Sequence, residues 1–208
     1  MAAEENKEQT ESEWHEWYDQ KSRLMEASLG REHDMVLHSM IPYSVGGGLD
    51  LYYFPNGIPG TAVATKELCE APNEGPSNKV LGCYELVMFT RHAIDLDGGE
   101  DSPFGKANQN INAILNPMAR YAEQAELNAN ETCEFPEDFE DIAGKCLVFD
   151  VYASHTDETV ENFGLLAIIE VFRSEMEFAR EKGGSVLIEL LKQNGHYPYS
   201  DLDREPVV

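Results

Sequence analysis

Residues 82–90 alternate Tyr84, Leu86 and Met88 with Glu85, Val87 and Phe89. Apart from Glu85 both sets are apolar, which predicts a strand covered on both faces and central in a sheet. Residues 163–171 are almost wholly apolar and predict a second strand of that kind. Residues 146–153 read as a further strand. So does Leu49-Asp50-Leu51-Tyr52-Tyr53-Phe54, which Pro55-Asn56-Gly57 turns, and a shorter one is expected at 62–65.

Helical spacing occupies the rest. Trp14, Trp17, Tyr18, Leu24, Met25 and Ser28 recur at i, i+3, i+4 and i+7, and Thr10 with Glu13 forms a capping-box pattern. We expect a helix from there to about Ser28 that docks both tryptophans on the core, after a flexible acidic lead-in over residues 1–11. Ile111, Ile114, Leu115, Met118, Ala122 and Ala125 predict a second helix, which Pro117 kinks or which Asn116 caps anew. Ser174-Glu175-Met176-Glu177 opens a third, stopped by Gly183-Gly184. Residues 185–193 form a fourth, with Val186, Leu187, Leu190 and Leu191 as its buried face and Gly195 closing it. Helices interleaved with strands of mixed character predict an α/β fold, an α+β layered sandwich in which a mixed sheet is flanked by helices, with residues 12–208 as one domain.

Charge changes the picture most. In 208 residues there are 15 Lys plus Arg and 39 Asp plus Glu, a net charge of -24. No stretch gathers the basic residues that displace counterions from nucleic acid, and anionic membranes are disfavoured by the same repulsion. The longest apolar run, residues 164–171, is too short to span a bilayer. An acidic field instead accelerates encounters with a basic protein, so the expected partner is a protein that is basic or carries a basic segment. The polar, acidic start lacks signal-peptide character, which places the chain in the cytoplasm, and Cys69, Cys83, Cys133 and Cys146 are expected as reduced, mostly buried thiols.

Catalytic patterns are missing. Gly46-Gly47-Gly48 opens a strand where a phosphate loop would open a helix. Asp95, Asp97 and Glu100 approach a calcium loop, but Gly99 stands where a third oxygen ligand belongs. There is no Gly-x-Ser-x-Gly elbow and no His-Glu-x-x-His pair, and His33 and His38 fall on different faces of any helix. Acid pairs such as Asp201 and Asp203 would be the material of an unrecognised acidic hydrolase site. We expect no enzyme, no cofactor and no metal.

The order of pieces in the C-terminal half is informative: residues 165–171, then Ser174-Glu175-Met176-Glu177-Phe178-Ala179, then 184–191, then Tyr199-Ser200-Asp201-Leu202-Asp203-Arg204. With Leu49-Asp50-Leu51-Tyr52, Tyr84-Glu85-Leu86 and Met118-Ala119-Arg120-Tyr121 upstream, residues 45–208 resemble the suppressor-of-fused family in its bacterial type. The resemblance implies a non-enzymatic protein that sequesters a partner. Animal members hold a transcription factor inactive, and bacterial members look like immunity proteins against toxins. It implies a partner segment added as a strand near Tyr121, helped by an acid in the following turn, for which Glu134, Glu137 and Asp138 are the candidates.

Overall fold

The computed structural model describes residues 2–156 and 162–208, with side chains from residue 13 onward. The described strands are β1 (Val36–Leu37), β2 (Leu51–Phe54), β3 (Thr61–Ala64), β4 (Ser77–Asn78), β5 (Gly82–Thr90), β6 (Thr132–Glu134), β7 (Cys146–His155) and β8 (Phe163–Val171). They form one sheet in the order β1-β2-β3-β5-β8-β7-β6, with β4 paired to β5. β5 and β8 run parallel and every other pairing is antiparallel, so the sheet is mixed. The two strands expected to be central are central, with the bounds read from their apolar runs. The two-residue and three-residue strands β1, β4 and β6 went unpredicted, because so short a segment shows no period.

Among the described residues four α-helices flank the sheet: α1 (Ala2–Leu29), α2 (Pro103–Ala122), α3 (Arg173–Lys182) and α4 (Gly184–Gln193). Alternation along β8 explains the layers. Leu166 and Ile168 face α2, in a core shared with Tyr53, Tyr84, Leu86, Met118 and Phe149. Phe163, Leu165 and Ala167 face the opposite way, toward Trp17, Met25 and Leu29 of α1. Farther along that second face, Ile169 and Val171 meet Met176, Leu187 and Leu191 of α3 and α4.

Helix boundaries differ from expectation for local reasons. α1 begins at Ala2, so Thr10 lies inside it and the expected lead-in is helical. α2 begins at Ser102, whose hydroxyl accepts the Gly105 N–H with Pro103 at the first position, and it passes through Pro117 as one helix. Asn116 is no cap: its Nδ2 bonds back to Asn112, and its Oδ1 accepts the Leu49 N–H at 2.8 Å. α3 is capped two residues earlier than expected, because Glu175 reaches back to the Phe172 N–H, leaving Ser174 within the first turn. Val186 is exposed and Ile188 takes its place in the buried face of α4. Gly184 is required by contact: a Cβ there would sit 2.0 Å from the Asn130 carbonyl oxygen.

Two buried ion pairs tie the layers. Lys21 of α1 and Glu85 of β5 meet at 3.0 Å, both almost fully buried. Glu85 also accepts from the Thr65 hydroxyl at 2.6 Å and from the N–H groups of Cys69 and Leu68. Lys21 spends its other protons on the carbonyls of Lys66 and Cys69, both at 2.7 Å. At the other end Arg204 grips Glu175 in a two-pronged pair at 2.6 and 2.8 Å, and the Val207 N–H joins it. Glu175 is held below the usual glutamate range because Arg204 and the N–H groups of Val207 and Phe172 outweigh its desolvation.

Removing either member of the Lys21–Glu85 pair should cost about 3–5 kcal/mol by stranding a buried charge. Lys21→Met, Glu85→Gln and the double variant form a cycle; chemical denaturation should find the double no worse than either single. A chain ending at Gly183 loses Leu187, Ile188 and Leu191. It should show no cooperative thermal unfolding, since that apolar face is worth on the order of several kcal/mol.

Candidate protein-binding site

The Lys21–Glu85 network holds residues 65–69 in a tight path over the end of β3, and the chain continues from there as an exposed loop to β4. Opposite that loop α2 ends. Its last turn is buried through Met118, Ala119 and Ala122, while Arg120 turns aside to bond the carbonyls of Tyr43 and Gly47 at 2.6 and 3.0 Å, its guanidinium stacked 3.5 Å over the Tyr43 ring. Between α2 and the loop runs a cleft in two connected parts, of about 400 and 500 Å³. Leu68, Gly75 and Glu123 line both parts.

Carboxylates dominate the cleft. Glu67, Glu70 and Glu74 stand on the loop side and Glu123 and Glu126 on the helix side, with Arg120 the one cation among the lining residues. Arg120 is already committed to its carbonyls and lies 3.6 Å from Glu123. Glu67 is pushed above the usual range chiefly by burial. The Asp50 N–H that it accepts opposes this, and the charges of Asp50, Glu85 and Glu70 add to it. The carbonyl end of a helix carries partial negative charge, so Glu123 and Glu126 stand where acids weaken a helix. Such an arrangement favours one kind of visitor, a positively charged one.

Tyr121 projects from this same last turn and is 49% exposed, which removes it from the core. The other expected residues lie elsewhere. Leu127, shortly after Tyr121, accepts a bond from Asn78 near the start of β5, whereas Glu134 pairs with Cys146 toward the end of the sheet where β8 finishes. Glu134 is clasped by Arg173 at 2.7 Å and Arg180 at 3.4 Å, and the Arg173 contact lowers its pKa. Glu137 and Asp138 are exposed in the turn beyond. The acids that share Tyr121's end were missed, because the cleft joins segments about fifty residues apart in sequence. Glu131 holds the turn after α2 by accepting the Asn128 N–H at 3.1 Å.

The motifs weighed for chemistry have structural duties. Asp201 accepts from the Thr90 hydroxyl and the Arg91 N–H, both at 2.6 Å, while Asp203 is largely exposed beside Arg91. His38 pairs with Asp50 at 2.6 Å, and the His33 ring accepts the Met35 N–H. Cys69, Cys83 and Cys146 are buried free thiols and Cys133 is half-buried. Among the described residues no group of three His, Cys, Asp or Glu is placed to hold a metal, and no helix is long and apolar enough to cross a membrane.

Set against solved structures, the chain superimposes on one in the Sufu–Fu complex crystal structure with a TM-score of 0.61 at 15% identity, over 94% of this chain and 92% of that one. The fold is that of Suppressor of Fused. Drosophila Suppressor of Fused gives a TM-score of 0.59, also at 15% identity, with 91% of this chain covering 50% of that protein. This chain therefore spans about half the length of the Drosophila protein. No family model and no curated protein matches the sequence. At 15% identity the likeness is one of fold.

If the acids at the end of α2 are held there against the helix, replacing them should relieve it. Glu123→Gln with Glu126→Gln should raise stability by about 0.5 kcal/mol at low salt, with the gain shrinking as salt is added. Thermal melts at two ionic strengths check this.

Proposed function

We propose that this protein is a non-enzymatic binding domain that sequesters a partner protein by seating a basic segment of it in the acidic cleft at the end of α2. The observation that carries this reading is the cleft itself, where five glutamates face one committed arginine across a helix C-terminus. Exposed Tyr121 on the same turn supplies a broad amphipathic ring of the kind that anchors interfaces. A chain of the same fold occurs in a complex with Fu.

The cleft suits partners that themselves handle nucleic acid, because those carry Lys and Arg to meet phosphate. Immunity against a toxin that acts on nucleic acid is the role we put first, and holding a transcription factor inactive is the same physics with a different partner. Either operates in the cytoplasm. The exposed Glu137 and Asp138 extend the attractive field at the far end of the sheet, where they steer the encounter without forming the seat.

A short lysine- and arginine-rich peptide is the probe. Glu123→Gln with Glu126→Gln should weaken it about tenfold at low salt and flatten the salt dependence. Tyr121→Ala should instead raise the dissociation rate, by roughly tenfold or more, with the melting temperature nearly unchanged. Unchanged affinity in both variants by calorimetry would remove the cleft as the binding site.

A further inference from the structure

α1 carries two tryptophans three residues apart, and docking separates their fates. Trp17 is 3% exposed and donates its indole N–H to the Cys69 carbonyl at 2.8 Å. Trp14 is 46% exposed, although so large an apolar ring normally finds cover. It does not stand alone. Its ring stacks on Tyr18, one turn along, at 5.4 Å and 21°.

This aromatic row already binds cations. Lys66 lies 4.5 Å from the Tyr18 ring centre and 4.7 Å from that of Tyr52, with its charge met by Glu32 at 2.8 Å. Lys21 lies 6.0 Å from the Trp17 ring. Trp14, at the outer end, meets the His15 ring edge-on at 5.1 Å and has no lysine or arginine over it among the described residues. Cavities open on both sides of it. One, of about 230 Å³, has Glu67 and Glu70 on its wall together with Lys21 and Lys66, whose charges are already met by Glu85 and Glu32, and the other, of about 380 Å³, lies against Glu16, Ala71 and Pro72. Glu67 and Glu70 also line the acidic cleft, so Trp14 stands at the continuation of that cleft around the loop.

We infer that Trp14 is a seat for an arginine side chain of the partner, whose guanidinium stacks on the indole while Glu70 takes its N–H groups. This rests on the basic-partner reading above and adds a second, sequence-selective contact to it. Arginine fits better than lysine here. Its planar, weakly hydrated guanidinium stacks on an aromatic face and offers donors in its own plane to a flanking carboxylate, whereas an ammonium remains a point charge. Glu67 already accepts the Asp50 N–H, which leaves Glu70 as the exposed partner on that wall.

The test pairs an arginine–serine peptide with its lysine–serine counterpart, titrated onto the full chain. The arginine peptide should bind at least about threefold more tightly and perturb the emission of the exposed tryptophan. Trp14→Ala should abolish the preference by weakening the arginine peptide about threefold while leaving the lysine peptide nearly unaffected, and Trp14→Phe should keep part of the effect. Glu70→Gln should also lower the preference, and circular dichroism melts confirm that each variant is folded. Equal binding of both peptides, or a preference that survives Trp14→Ala, overturns the inference. If Glu123→Gln with Glu126→Gln weakens both peptides while Trp14→Ala changes nothing, the cleft reading stands and the Trp14 seat falls. If neither variant weakens either peptide, both readings fall.

Discussion

The carboxylate of Glu85 is the constraint on which the rest depends. It is fully buried in the middle of the sheet, where an unpaired charge would cost several kcal/mol, and its surroundings are arranged to satisfy it. One helix supplies a lysine, one strand end supplies a hydroxyl, and the following segment supplies two backbone N–H groups. Lys21 then recruits two carbonyls from the same segment, and Trp17 shares one of them. A single charge pair thereby docks α1, closes one face of the sheet and fixes residues 65–69. The segment that bears Glu67, Glu70 and Glu74 starts from that anchor, so the acidic cleft inherits its shape from a stability element.

The C-terminal tail repeats the principle. Arg204 and Glu175 are both buried, and their forked pair draws in the N–H groups of Phe172 and Val207. Ser200 bonds to Phe89 and to the Ile168–Glu170 stretch, and Asp201 closes on Thr90 and Arg91. The tail is thus sewn across the ends of the two central parallel strands. Charges that are buried here are paired and hydrogen-bonded, which lets them order the chain without a stranded ion.

The excess acid has a different use. Glutamates along the cleft lie near one another and near the carbonyl end of α2, an arrangement that folding alone does not favour. On the reading proposed above, a basic partner would relieve this repulsion on arrival and convert a small cost in the free protein into affinity. Near the same surface, the aromatic row of Trp14, Tyr18 and Tyr52 already handles a lysine of its own. Charge brings a partner close over several ångströms, whereas packed rings select which cation stays.

The sequence by itself determined the two central strands, because a run apolar on both faces has one good place in a sheet. It determined the α3–α4 pair through the glycine break at Gly183-Gly184, the acidic character and the fold class, a mixed sheet flanked by helices. Edge strands β1, β4 and β6 came only from tertiary pairing, since two or three residues carry no period. The start of α2 turned on one hydroxyl cap, and the separation of Trp14 from Trp17 turned on how α1 lies against the sheet. The cleft was decided by tertiary structure alone: it joins a helix end to a loop about fifty residues earlier, and chain periodicity reports which face is buried but not which exposed residues meet across space.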